Sequence, residues 1–454
     1  MKKNCFAFAT FLLSLFFSTF FVCAEDIKPF YLENKIPVYV KNVKDSEFIS
    51  LYLVFKGGTR YLTPETSGLE ETCFNQLSMG SKNYSFDSLK SFSYEYHSGF
   101  TGFCVEEGSV FGMECISRYF DETFNRYEDA YFNPLFSKKE FDIKKTDLRQ
   151  RVQMIQNDPE SMIYSSIGQV LYDRHPFAAK VSVTPESIEN ITLEAIKNYY
   201  SNLLDSRRIS FVAAGNVDSE KLLALLNRSF GKIQSGKIRL KETYVPPLKI
   251  KGEPVILVSP SSAGAALIAR TFPSPVVNDP EYAASRIAAE VFSDIMYNVV
   301  REKNGICYTP FSSVGSSLAP HGTDFLYLAT NLTDFARAMN ESRQILSEGK
   351  TISSIDSSGN YIYEPLEKRL SGYINSYITA KYKPQATVGG ISSRMAASLL
   401  QFGDVVSGDK ITENVKKLTA DDVVRVFKKY WMSDDFRWFA VVGPGDEEKI
   451  SFEE

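Results

Sequence analysis

The chain has 454 residues, of which 44% are hydrophobic, 13% aromatic and 23% charged. That balance excludes a disordered or low-complexity protein and calls for two or three packed domains. Its 51 Lys and Arg stand against 55 Asp and Glu, a formal charge of −4, which argues against a chain built to neutralise a nucleic-acid backbone.

Lys2-Lys3, the largely apolar run from Phe6 to Val22 and the small pair Cys23-Ala24 read as a secretory signal over residues 1–24. The alternative is a retained anchor, since the run approaches the ~20 residues that span a bilayer. No later stretch has an apolar run of that length, so no stable membrane span is expected in the mature chain. Beyond the signal, Cys73, Cys104, Cys115 and Cys307 remain. A disulfide is possible in an oxidising compartment, but so few cysteines do not make a disulfide scaffold, and burial as small hydrophobes is expected. The three histidines, His97, His175 and His321, show no local spacing of metal ligands. His175, beside Pro176, reads as a loop residue, the other two as surface or satisfied core residues.

In residues 25–235, Ile36–Val40 and Ile49–Phe55 are strand-like, with Pro37 marking an edge strand. Lys56-Gly57-Gly58-Thr59 turns the chain, and a helix follows near Gly68. Thr192-Leu193-Glu194-Ala195-Ile196 opens a later helix, followed by the strand Ile209–Ala214 and Gly215-Asn216-Val217-Asp218. Residues 236–252, basic and without periodicity around Pro246-Pro247, read as a linker. Residues 253–454 repeat the earlier order: Thr419-Ala420-Asp421-Asp422-Val423, a helix, the strand Trp438–Val442, then Gly443-Pro444-Gly445-Asp446. Thr192 and Thr419 are 227 residues apart, and Gly215 and Gly443 are 228 apart. The pattern is a tandem duplication. Thr419 with Asp422 predicts a capping box. The fold class expected is α+β: two homologous domains, each a mixed or antiparallel sheet packed with helices.

Over nearly the whole chain the sequence resembles the insulinase/pitrilysin family of zinc peptidases, which includes the mitochondrial processing peptidases. The matching residues are Gly57-Gly58-Thr59-Arg60-Tyr61, Ser67-Gly68-Leu69, Gly80-Ser81, Asn157-Asp158-Pro159-Glu160, His175-Pro176-Phe177 and Gly215-x-x-Asp218. The resemblance implies that the two domains form half of a clamshell. Active members carry His-x-x-Glu-His on the helix that begins at this Gly-Leu. Here the two ligand positions fall on Glu71 and Asn75, the general base on Phe74 and the third ligand near Arg151. A phenyl ring takes no proton, and Arg151 puts a fixed positive charge where a dication belongs, so no zinc is expected in this chain. Two arrangements follow for the charges: Arg151 pairs with Glu71 or neighbouring Glu70 in place of the metal, or each is solvated separately.

The second domain keeps Val300-Arg301-Glu302-Lys303-Asn304-Gly305-Ile306-Cys307-Tyr308, similar to the family's Leu-Arg-Glu-Lys-x-Gly-Leu-x-Tyr. The resemblance implies that Arg301 and Tyr308 reach toward the zinc site of an opposing half or subunit. A guanidinium holds carbonyls or carboxylates by forked hydrogen bonds, and a phenol donates to a forming oxyanion. The structural alternative is an Arg at a helix C-terminus and a Tyr filling a strand. The function implied is that of the non-metal subunit of a heteromeric peptidase, not catalytic alone. A homologous subunit would bring the zinc, and the substrate would be a short or unfolded peptide held along a strand edge. A bacterial periplasm is the expected location. The alternative is a pseudopeptidase that serves as a peptide- or protein-binding scaffold. No Ser-His-Asp, Cys-His or paired-carboxylate spacing suggests a different chemistry.

Overall fold

The computed structural model describes residues 27–237, 239–240 and 245–453. The signal sequence read over residues 1–24 lies outside these, as do five residues of the 236–252 stretch. The first domain builds a six-stranded sheet from β1 (Phe30–Tyr31), β2 (Pro37–Asn42), β3 (Phe48–Phe55), β4 (Gly99–Val105), β5 (Gly108–Ile116) and β6 (Ile209–Gly215), in the order β1-β2-β6-β3-β5-β4. Its helices are α1 (Leu69–Leu77), α2 (Phe86–Tyr96), α3 (Phe120–Phe132), α4 (Lys138–Asn157), α5 (Pro159–Leu171), α6 (Leu193–Tyr200) and α7 (Ser219–Arg228).

The second domain repeats the plan. Its strands β7 (Val255–Val258), β8 (Ala266–Pro273), β9 (Thr309–Val314) and β10 (His321–Ala329) join the last strand, β13 (Arg437–Val442), in the order β7-β13-β8-β10-β9. A separate hairpin of β11 (Lys350–Ile355) and β12 (Tyr361–Pro365) stands apart from that sheet. The helices are α8 (Tyr282–Met296), α9 (Phe335–Ser347), α10 (Leu366–Tyr382), α11 (Val388–Phe402), α12 (Ser407–Val415) and α13 (Ala420–Trp431). In both sheets the strand after the late helix runs parallel to one neighbour and antiparallel to the other: β6 beside β2 and β3, β13 beside β7 and β8. The architecture is α+β with two domains of one topology.

The caps explain where the repeated helices start. Thr192 accepts from the Ala195 N–H at 3.1 Å, and Thr419 from the Asp422 N–H at 3.2 Å. Asp422 accepts in return from the Thr419 N–H, completing the predicted capping box. Pro37 departs from its expected place. It begins β2, which is not outermost, because the two-residue β1 pairs outside it at Tyr31. The first position of a strand tolerates the missing N–H.

Strand β3 is apolar almost throughout because both of its faces are covered. Leu51, Leu53 and Phe55 join the core under the first domain's own helices. Tyr52 and Val54 point the other way and pack against Met395 and Leu399 of α11, a helix of the second domain. The exchange is reciprocal: Ile163, Ile167 and Leu171 of α5 pack on Ala269, Phe325 and Phe439 of the second sheet. Each domain thus lends one helix to the other's exposed sheet face. This leaves β4 and β9 as equivalent outer strands of the two sheets.

Candidate functional site

The helix α1 begins after Gly68 and carries two adjacent carboxylates with different surroundings. Glu70 is 3% exposed. It accepts from the Gly58 N–H at 2.9 and 3.0 Å, from Ser109 Oγ at 2.6 Å and from the Tyr199 hydroxyl. Gly58 reaches the carboxylate with φ +82°, a left-handed conformation that other residues seldom adopt, which accounts for the Gly57-Gly58 turn. Burial, with Glu70 alongside, pushes the Tyr199 phenol well above its ordinary value, so it stays a donor.

Glu71, Phe74 and Asn75 meet at a cavity of about 200 Å³ between the end of α1 and strands β4 and β5. Phe74 is buried, its ring 5.7 Å from that of Phe55. Glu71 Oε2 is buried without a hydrogen-bond partner. Arg151 is not brought to this place. It lies exposed on α4 with no ion pair among the described residues, and Glu70 is already engaged by Gly58, Ser109 and Tyr199. The separately solvated arrangement is therefore the one adopted for Arg151. The inward face of α4 is formed by Phe141, Lys145, Leu148 and Val152, at helical spacing. Val152 shares the core with Cys73 and Phe74. Its 3.6-residue periodicity was the signal that Val152, rather than Arg151, faces inward.

Among the described residues, no group of three or more His, Cys, Asp or Glu side chains is placed to hold a metal ion. One carboxylate, an amide, a phenyl ring and an apolar α4 residue do not make a zinc site. The four cysteines are free, and burial pushes the thiols of Cys104, Cys115 and Cys307 up to about 12. They remain neutral and are poor metal ligands at neutral pH.

In the second domain α8 runs on into a π-helical turn over Tyr297–Lys303. Such turns are rare and often occur at functional sites. The turn ends at Gly305, where φ is +58° and the N–H bonds the Arg301 carbonyl at 2.9 Å. The chain then re-enters the sheet, the Tyr308 N–H bonding the Tyr327 carbonyl at 3.0 Å. As a result Arg301 and Tyr308 come together. The guanidinium carbon sits 4.8 Å from the ring centroid of Tyr308 and 4.8 Å from that of Tyr297. Its sole ion pair among the described residues is Glu302, at 3.3 Å. Tyr308 is 63% exposed and precedes β9, so it fills no strand position. Tyr297 was not anticipated from the sequence, although it lies four residues before Arg301 and such pairs meet on a helix. The cavity at Glu71 and the Arg301–Tyr308 pair have no residue in common.

Residues 38–184 match the family described as Insulinase (Peptidase family M16), and residues 190–349 match the Peptidase M16 inactive domain. The chain belongs to the insulinase family, as an inactive-type member that lacks the metal-binding set. An uncharacterized zinc protease of Rickettsia felis is 20% identical over 419 residues, spanning 91% of this chain and 97% of that protein. The non-peptidase homolog YmxG of Helicobacter pylori is 20% identical over 355 residues, 76% of this chain and 81% of that protein. The crystal structure of a peptidase M16 inactive domain from Pseudomonas fluorescens superposes with a TM-score of 0.77 at 15% identity, over 92% of this chain and 98% of that one.

Proposed function

We propose that this chain is the non-metal subunit of a heteromeric insulinase-family peptidase that hydrolyses short or unfolded peptides. A homologous partner would bring the zinc and the general base, neither of which the residues at Glu71, Phe74 and Asn75 can supply. The carrying observation is the Arg301–Tyr308 pair, assembled on a π-helical turn with the Tyr308 hydroxyl toward solvent.

The chemistry of the pair suits a reacting peptide. Arg301 keeps free N–H donors for the carbonyl oxygens or the carboxylate of a substrate, and ring contacts on two sides limit its rotamers before binding. Tyr308 donates its proton in a hydrogen bond to the oxyanion that develops at the attacked carbonyl. The outer strand β4 offers unpaired backbone groups along which an extended peptide is held, whereas on β9 the outward groups of Ser312 and Val314 are bonded by Ser293 and Arg286 of α8. The leader-like residues 1–24 favour an exported protein, with a bacterial periplasm as its location. No helix among the described residues is long and apolar enough to cross a membrane.

Reconstitution tests the reading. A homologue with intact His-x-x-Glu-His is assayed for peptide cleavage alone, with this chain, and with its Arg301→Ala or Tyr308→Phe forms. Stimulation by the unaltered chain is expected to fall about 10²–10³-fold with Tyr308→Phe, the scale of one oxyanion donor, and at least tenfold with Arg301→Ala. Equal cleavage in all mixtures would reject the catalytic-subunit role. A peptide-capturing pseudopeptidase is then the remaining reading, supported by the free β4 edge and the relative named a non-peptidase homolog.

A further inference from the structure

We infer that the degenerate catalytic position has become a subsite for a cationic side chain, in which Glu71 receives the Lys or Arg of an extended peptide paired with β4. This rests on the reading that the chain holds peptides along its strand edge.

Three independent features of the cavity point to such an occupant. The first is charge. Glu71 Oε2 is buried with no hydrogen-bond partner, and no Lys or Arg among the described residues lies within ion-pair distance of it. An uncompensated buried carboxylate oxygen is costly and is relieved by a charged donor. The cations of the adjoining cavity and of α4 are otherwise placed. Arg126 lines the adjoining cavity of about 160 Å³, but its guanidinium lies 3.8 Å over the Phe92 ring and its Nη1 donates to the Glu122 carbonyl. Lys90 lies over Phe86 on the same side. Arg151 is exposed on α4.

The second feature is shape and lining. The cavity of about 200 Å³ has room well beyond the ~10–15 Å³ that one water needs by the same measure. The rings of Phe74, Phe100 and Phe111 line one side and Asn75, Ser78 and the β4 backbone around Thr101 and Gly102 the other, so the carboxylate is met by both apolar and polar surface. A Lys or Arg side chain matches this, with a methylene stem along the walls and a charged head at Glu71, assisted by Asn75. A bare divalent ion finds one carboxylate and no second charged ligand.

The third feature is delivery. The cavity is bordered by β4 itself, and that strand has no partner on its outer side. Thr101 and Gly102, midway along it, are exposed. A peptide adding to this edge directs alternate side chains to the cavity side, so one position of the peptide is selected for charge while its neighbours stay free.

The test measures binding to the full chain by fluorescence anisotropy. The probes are labelled twelve-residue peptides identical except for a central Lys, norleucine or Glu, with a backbone N-methylated Lys peptide as the control for strand pairing. The Lys peptide is expected to bind at least tenfold more tightly than the norleucine peptide, and the Glu and N-methylated peptides more weakly still. Glu71→Gln should bring the Lys peptide down to the affinity of the norleucine peptide. Asn75→Lys, which supplies an internal cation four residues from Glu71, should erase the preference in the same way. Equal binding of Lys and norleucine peptides, or a Lys preference that survives Glu71→Gln, would overturn the subsite and leave peptide holding intact. Failure of every peptide to bind would overturn both. Stoichiometric binding of zinc alone, lost on Glu71→Gln, would replace the peptide subsite with a metal site.

Discussion

Glu70 and Glu71 are neighbours on α1, and the roughly 100° turn between them separates a saturated carboxylate from an orphaned one. Glu70 ties the Gly57-Gly58 turn, β5 and α6 together through Gly58, Ser109 and Tyr199. Replacing it with Ala leaves three buried donors unpaired. Urea unfolding of Glu70→Ala is expected to show a loss of about 3–5 kcal/mol, against no loss or a small gain for Glu71→Gln, which removes an uncompensated buried charge. A second residue-scale effect concerns His321, where burial, with Lys180 nearby, lowers the imidazole to about 4. The unfolded chain takes up that proton below about 6.5, while the folded chain resists it until about 4. The stability His321 contributes is therefore complete above pH 6.5 and lost as pH falls through that window. Glu107, raised to about 7 chiefly by burial and then by Glu106, and Asp324, raised to about 6 by burial, titrate with the opposite sign. The comparison isolates the histidine: Tm should fall less between pH 7 and pH 5 in His321→Asn than in the unaltered chain. Equal slopes would reject the assignment.

At the scale of elements, the exchanged helices join the domains. The helix α5 starts at Asp158, which accepts from the Ser161 N–H at 2.8 Å, and α11 at Thr387, which accepts from the Gly390 N–H at 3.0 Å. Each then buries one apolar stripe against the other domain's sheet. Truncating Ile167 or Leu399 to Ala removes buried methyl groups from these contacts and is expected to cost about 2–5 kcal/mol each. Because the contacts cross between domains, the unfolding transition should stay single and shift as a whole, which chemical denaturation followed by circular dichroism, for both domains, and by the fluorescence of Trp431 and Trp438, for the second, would show as coincident curves. Two separated transitions would mean that the exchange contributes little. The strands, helix starts and duplication were legible because they rest on local signals: the apolar run Ile49–Phe55, the Thr419–Asp422 box and the repeated Gly215 and Gly443. The reciprocal exchange was not, since the apolar stripes of α5 and α11 do not say which sheet they cover.

For the whole molecule, the residues at the family's metal position predict that zinc is not a ligand of the folded chain. Adding zinc should leave Tm unchanged, and dialysis against a chelator should leave both Tm and the circular dichroism spectrum unchanged, because nothing that binds the native state selectively is lost. A zinc-dependent rise in Tm would contradict the reading of Glu71, Phe74 and Asn75. The sequence by itself determined the α+β duplication, the family and the absence of both ligand histidines, because these depend on residue identity and on spacing along the chain. It also placed Arg301 and Tyr308 seven residues apart, but not in contact. Tertiary structure alone decided that a π-helical turn folds them together, that Arg151 faces solvent while Val152 faces the core, and that Glu71 opens onto a cavity at a free strand edge. Those outcomes depend on which side of a helix meets which sheet, and one residue along a helix turns a side chain by roughly 100°.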